Sequence, residues 1–210
     1  TLIEPNVHIK SKLDKSFKAI IEIVEFALLK NKKLKWLIIY SSAMGVATLS
    51  MAWFAQPFFL EANIPLAYFG VLWAGLNMSA GITSISAYRF DNKKNITKVL
   101  IYISLIMTSL FFSLGSSISI IGLIFILCIY LIRGIVTPLL RNAININSTS
   151  NKRATILSIR SFIIRISFAI FAPILGYFAS NHSLSMSFNL IAIIIGFTSL
   201  ISVYNLSRLD

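Results

Sequence analysis

The chain has 210 residues, 57% of them hydrophobic and only 12% charged, with a formal net charge of +12. Soluble domains carry about a quarter charged residues, and no water-soluble fold covers this much apolar surface, so the sequence reads as an integral membrane protein. The basic residues fall in short segments between apolar runs, where they set topology, and no interleaved basic and aromatic surface marks nucleic acid as a partner.

Residues 1–35 form a polar, cytoplasmic segment rich in lysine: Lys10, Lys12, Lys15, Lys18, Lys30, Lys32, Lys33 and Lys35. Within it Phe17, Ile20, Ile21, Val24 and Leu28 recur at helical spacing, with Lys18, Glu22 and Glu25 to one side. This predicts an amphipathic helix that either docks on lipid or protein, or simply leads into the first span. The opening "TLIEPNVHIKSK" lacks the pattern of a signal peptide, and an initial threonine suggests a piece of a longer protein.

Six apolar runs follow, each near the 20 residues a span requires: 36–59, 65–88, 96–114, 118–140, 155–178 and 184–204. Lipid offers the backbone no partners, so each is expected to be a helix. In the first span Gly45, Thr48, Ala52 and Gln56 share a face; Trp53 lies nearby. In the second, Trp73, Asn77, Gly81 and Ser84 do so. The third and sixth are mostly apolar with serine and threonine, which suits helices facing lipid. In the fourth, Arg133, Thr137 and Arg141 step by four. In the fifth, Ser158, Ser161, Arg165, Ala169, Ala172 and Gly176 follow steps of three and four. Such stripes either let helices pack closely or line a water-filled route.

The loops alternate in charge. "LEANIP", "GSS" and "SNHS" hold no lysine or arginine, whereas the loop after the second span carries Arg89, Lys93, Lys94 and Lys98 beside Asp91. The loop after the fourth span carries Arg141, Lys152 and Arg153, and the tail 205–210 has Arg208. Positive loops stay in the cytoplasm, so both termini are expected there.

Arg133 is expected ~10 Å inside its span and Arg165 about as deep or deeper, whereas Arg141, Arg153 and Arg160 are read as reaching the headgroups. All seven acidic residues lie outside the spans or at their ends. A buried unpaired charge is strongly unfavourable. The two deep arginines therefore need helix carbonyls, water, an anionic substrate, or carboxylates from another six-helix unit.

No span interior carries histidine, aspartate or glutamate, and no serine has a histidine at its depth, so an enzyme is not expected. Cys128 is the sole cysteine, and His8 and His182 lie in loops on opposite sides of the membrane. Neither a disulfide within the chain nor a metal site is expected, and no cofactor is called for.

The pattern resembles the carboxy-terminal half of a major facilitator superfamily transporter, with part of its central cytoplasmic loop. The resemblance begins at "FALLKNKKLKWLIIY" and continues through "MAWFAQPFF", "AYRFDNKK" and "LIRGIVTPLLRNAIN". It ends with "NKRATILSIRSFIIRISFAIFAPILGYFAS". It implies an all-α bundle of two inverted three-helix repeats, with spans one, two, four and five facing a central cavity. Of the family's loop signature only Gly81, Arg89, Asp91, Lys93 and Lys94 remain, in altered order.

The implied activity is secondary transport of a small solute by alternating access. Arg133, Arg165, Asn77, Gln56, Trp73, Trp53 and Thr137 are the implied cavity residues, and Gly134 and Pro138 the bend in the fourth helix. The implied partners are the solute, a coupling ion, the lipid bilayer and an amino-terminal six-helix half, from the same gene or a separate chain. The implied location is a bacterial cytoplasmic (inner) membrane. The alternative is an orphan or truncated half that acts as a scaffold and transports nothing.

Overall fold

The computed structural model describes residues 17–87, 96–116 and 118–209, the first three by backbone. Among them the chain is helical and contains no strand. It runs α1 Phe17–Glu25, α2 Lys32–Glu61, α3 Phe69–Ile85, α4 Ile96–Ser116, α5 Gly122–Ile146, α6 Arg153–Asn181 and α7 Leu184–Ser207. A π-helical turn, Phe26–Lys30, joins α1 to α2. The last six helices are long and apolar enough to cross a membrane. The protein is an integral, multi-pass membrane protein.

Several helices overrun the apolar runs that define them. α2 begins at Lys32 and α5 continues through "RNAINI" to Ile146. No breaker intervenes in these stretches, and long basic side chains can carry their charge out to the headgroups. Caps then set the limits. Asn31 accepts the Leu34 N–H through its side chain at 3.0 Å and donates to the Asn147 carbonyl at 3.4 Å, tying the start of α2 to the end of α5. At the other end of α2, Asn63 takes a left-handed conformation, φ 57°. Ile64 N–H then bonds the Phe59 carbonyl and Asn63 N–H the Leu60 carbonyl, both at 3.0 Å. That is a Schellman stop with asparagine where glycine is commonest. Ser183 caps α7 through Met186 N–H.

Neighbour relations run α3, α5, α2, α6, while α4 and α7 pack on one another, on α5 and on α2 and α6 respectively. α2 lies at the centre: 56% of its spanning window is buried, against 6% for each of the spans built on α3 and α6. Phe188 of α7 is the aromatic hub, contacting Phe54 and Phe58 of α2 and Phe111 of α4 at centroid distances of 6.1–6.3 Å. Glycine makes room for this packing, since a β-carbon at Gly122 would lie 2.5 Å from the Phe58 ring. Tyr40 of α2 donates to the Leu100 carbonyl of α4 at 2.9 Å and accepts from Ser104 at 3.0 Å. This satisfies a hydroxyl that would otherwise be costly to bury.

The serines of α4 and α7 explain how two apolar helices can pack as well as face outward. Ser104, Ser187, Ser199 and Ser202 are buried; Ser104 donates to Tyr40 and the other three to backbone carbonyls, Ser187 reaching across to Leu175 of α6 at 2.8 Å. Their opposite faces expose Tyr102, Leu105 and Ile106 on α4 and Ile193, Phe197 and Leu200 on α7.

α1 docks differently from the expected stripe. Ile23 and Ala27 are buried, Ile20 and Ile21 are exposed, and the helix packs on α6. Lys152 places its ammonium 4.6 Å from the Phe26 ring centre. The buried side is therefore that of Ile23 and Ala27, four residues apart, rather than that of Ile20 and Ile21.

Candidate functional site

The candidate residues fall into two groups, one at the α3–α5 seam and one on exposed faces. At the seam, α5 holds Tyr130, Arg133 and Gly134 within about one helical turn. Arg133 is half-buried, with its guanidinium carbon 5.4 Å from the Tyr130 ring centre, a cation–π distance. Trp73 of α3 meets the same ring edge-on at 6.3 Å. The three side chains form a continuous stack across the seam. The Tyr130 hydroxyl is buried and has no hydrogen-bond partner among the described residues.

Gly134 and Thr83 bring the two helices close. A β-carbon at 134 would clash with the Thr83 hydroxyl and the Ala80 carbonyl. Thr83 donates across the seam to the Leu131 carbonyl at 3.0 Å. Gly134 therefore has a packing role. Pro138 lies one turn further on, inside a helix that continues to Ile146. Because α5 runs that far, Arg133 is roughly 20 Å from its end.

The second group is exposed. Arg165 lies on α6, roughly 18 Å from its start. It lines an open groove of about 380 Å³ with Leu157, Ser158, Ser161 and Phe162. Gln56 and Trp53 of α2, Asn77 of α3 and Thr137 of α5 are also exposed. Trp53 leans toward Phe168 of α6 with centroids 6.3 Å apart, and Asn77 turns its amide N–H onto its own helix at the Trp73 carbonyl, 2.9 Å away. Gly45, on the expected polar face of α2, is a contact point for α6: its β-carbon position lies 2.7 Å from Ile164.

No carboxylate of a described residue lies within ion-pair distance of Arg133 or Arg165; the pair present, Lys30 with Glu25, is at the surface. No group of three or more histidine, cysteine or acidic side chains suited to a metal occurs among the described residues. By contrast, the groove between α3 and α5 lined by Val71, Leu72, Gly75, Leu76, Leu123, Ile124 and Leu127 contains none of the candidates.

Arg160 is more enclosed than a freely extending side chain. It is buried between α6 and α2, where its Nε donates to the Ser41 hydroxyl. The stripe of buried Ile156 and Arg160 and half-buried Ile164 steps by four along α6 and is distinct from the Ser158, Ser161, Arg165 stripe. Tyr130 was not singled out either, although it stands three residues before Arg133. Arg89, Asp91, Lys93 and Lys94 lie outside the described residues.

Comparison with family models, curated proteins and solved structures finds no match to this chain.

Proposed function

We propose that the chain is the carboxy-terminal half of a major facilitator superfamily-type secondary transporter that moves a small solute by alternating access. It would act in a bacterial cytoplasmic membrane with both termini inside, and a second six-helix half would complete the cavity. The observation that carries the reading is the exposure of Arg165, Asn77, Gln56 and Thr137 on four different membrane-length helices. An arginine facing hydrocarbon near mid-depth costs at least about 2.5–3.5 kcal/mol, so such a face is stable against water or against another protein surface. The low burial of the α3 and α6 spans supports the same reading, since these helices offer their sides to a partner.

In this mechanism the two halves rock about a site near the membrane midplane. Arg133 and Arg165 either attract an anionic group of the solute or pair with carboxylates of the other half. Asn77 and Gln56 offer hydrogen bonds, and Trp73 and Trp53 supply flat apolar walls. An ion gradient drives the cycle.

The test is uptake into proteoliposomes of the complete protein, screened against organic anions and cationic drugs under proton and sodium gradients. Uptake of any solute that depends on a gradient and is lost in Arg133→Gln supports the reading. No gradient-driven uptake across the panel would favour the scaffold.

A further inference from the structure

We propose that Arg160 and Arg141 form a binding site for a phosphate-type oxyanion where α2, α5 and α6 meet, at the end of the bundle where α5 turns into α6. This does not rest on the transport reading. Arg160 is 7% exposed, yet among the described residues its side-chain hydrogen-bond partner is the neutral hydroxyl of Ser41. That bond uses one of the five N–H donors of a guanidinium and none of its charge. Arg141 bears on Arg160 as a like charge. No carboxylate of a described residue is within ion-pair distance of either.

The three helices pack on one another pairwise. Arg160 is roughly 10 Å from the start of α6, Ser41 roughly 14 Å from the start of α2, and Arg141 roughly 8 Å from the end of α5. The residues thus share a level. α6, with 29 residues, is roughly 43 Å long and exceeds a ~30 Å hydrocarbon core by several ångströms at each end. This level is therefore close to the boundary between headgroups and acyl chains. Two like charges at one level with no acid among the described residues are unfavourable until an anion joins them. The planar guanidinium fork matches phosphate oxygens. Exposed Arg141 leaves the approach open, while buried Arg160 and Ser41 fix its inner wall. The phosphate can belong to an anionic lipid or to a soluble ion, and basic pockets at helix ends of this kind hold lipid headgroups.

The test is thermal unfolding of the full chain in nanodiscs of phosphatidylcholine, with either phosphatidylglycerol in the disc or inorganic phosphate in the buffer. One addition is expected to raise Tm by roughly 5 °C at saturation, since a ligand bound only to the native state stabilises it. A shift with phosphatidylglycerol alone identifies a lipid headgroup, and a shift with phosphate identifies a soluble oxyanion. Arg160→Gln and Arg141→Gln should each remove most of the shift, and Arg208→Gln should keep it. Arg141 is exposed, so its variant tests the site even if Arg160→Gln does not fold. The proposal is overturned if neither addition raises Tm, if the shift survives in Arg141→Gln, or if Arg208→Gln loses it equally.

Discussion

Gly134 of α5 lies against Thr83 of α3, so close that a single methyl at 134 has no room between the Thr83 hydroxyl and the Ala80 carbonyl. The Thr83 hydroxyl uses that proximity to bond the Leu131 carbonyl. This contact fixes α3, whose other sides are largely exposed, to the rest of the bundle. The Ala80 obstacle is backbone and cannot rotate away. Gly134→Ala should therefore destabilise the chain by about 1–3 kcal/mol, the usual cost of overpacking. Gly81→Ala, which meets nothing within 4 Å, should leave the unfolding temperature of the isolated chain unchanged. Thermal unfolding in detergent compares the two; equal behaviour would remove the claimed seam.

The Arg160–Ser41 bond links α6 to α2 in the buried interior. Ser41→Ala leaves the Arg160 Nε without its acceptor and should cost about 1–3 kcal/mol. Arg160→Met removes the charge together with its need for a partner. In that background Ser41→Ala should cost far less, giving a coupling of at least about 1 kcal/mol in a double-mutant cycle. Additive effects would mean that the two side chains act independently.

Arg133 rests on the Tyr130 ring, and that stack extends to Trp73. Arg133→Gln is expected to abolish transport, at least about tenfold, with membrane accumulation of the complete protein unchanged. Uptake and immunoblotting of the same vesicles check both halves of this expectation. A fall in accumulation that matches the fall in uptake would make the residue structural.

The charge of the loops predicts that both termini face the cytoplasm. A fluorescent protein fused after Asp210 should mature, and alkaline phosphatase at the same position should be inactive. The opposite pair of results would invert every loop. The second fusion point, after Asn63 in the uncharged α2–α3 turn, should show active phosphatase.

What was legible in the sequence follows from how strong each physical signal is. The six apolar runs announce their helices because hydrocarbon leaves the backbone no alternative. The stripe containing Arg165 was legible because its small and polar residues share one face, and Ser158, Ser161, Arg165 and Ala169 on it are exposed. The burial of Arg160 against α2 is not legible from distance along the helix without angle. Its depth allows a snorkelling side chain, but its direction is that of Ile156, which is buried, and Ile164, which meets Gly45. Gly134 beside Pro138 suggests a bend from local sequence, whereas its packing against Thr83 depends on a residue 51 positions earlier. The periodicity of α1 shows an apolar face, but which edge of it docks depends on contact with α6, and Ile23 rather than Ile20 or Ile21 is buried.

Alternating access makes one direct demand on the exposed face of α6: a residue there must meet water from each side of the membrane in turn. Ser161, beside Arg165 in the groove, is the position to test. In a Cys128→Ser background of the complete protein, Ser161→Cys is treated with an impermeant thiol reagent in right-side-out and in inverted vesicles, alongside Phe197→Cys on the apolar outer face of α7. The account predicts labelling of position 161 from both sides and of position 197 from neither. Failure of position 161 to label from either side would contradict it.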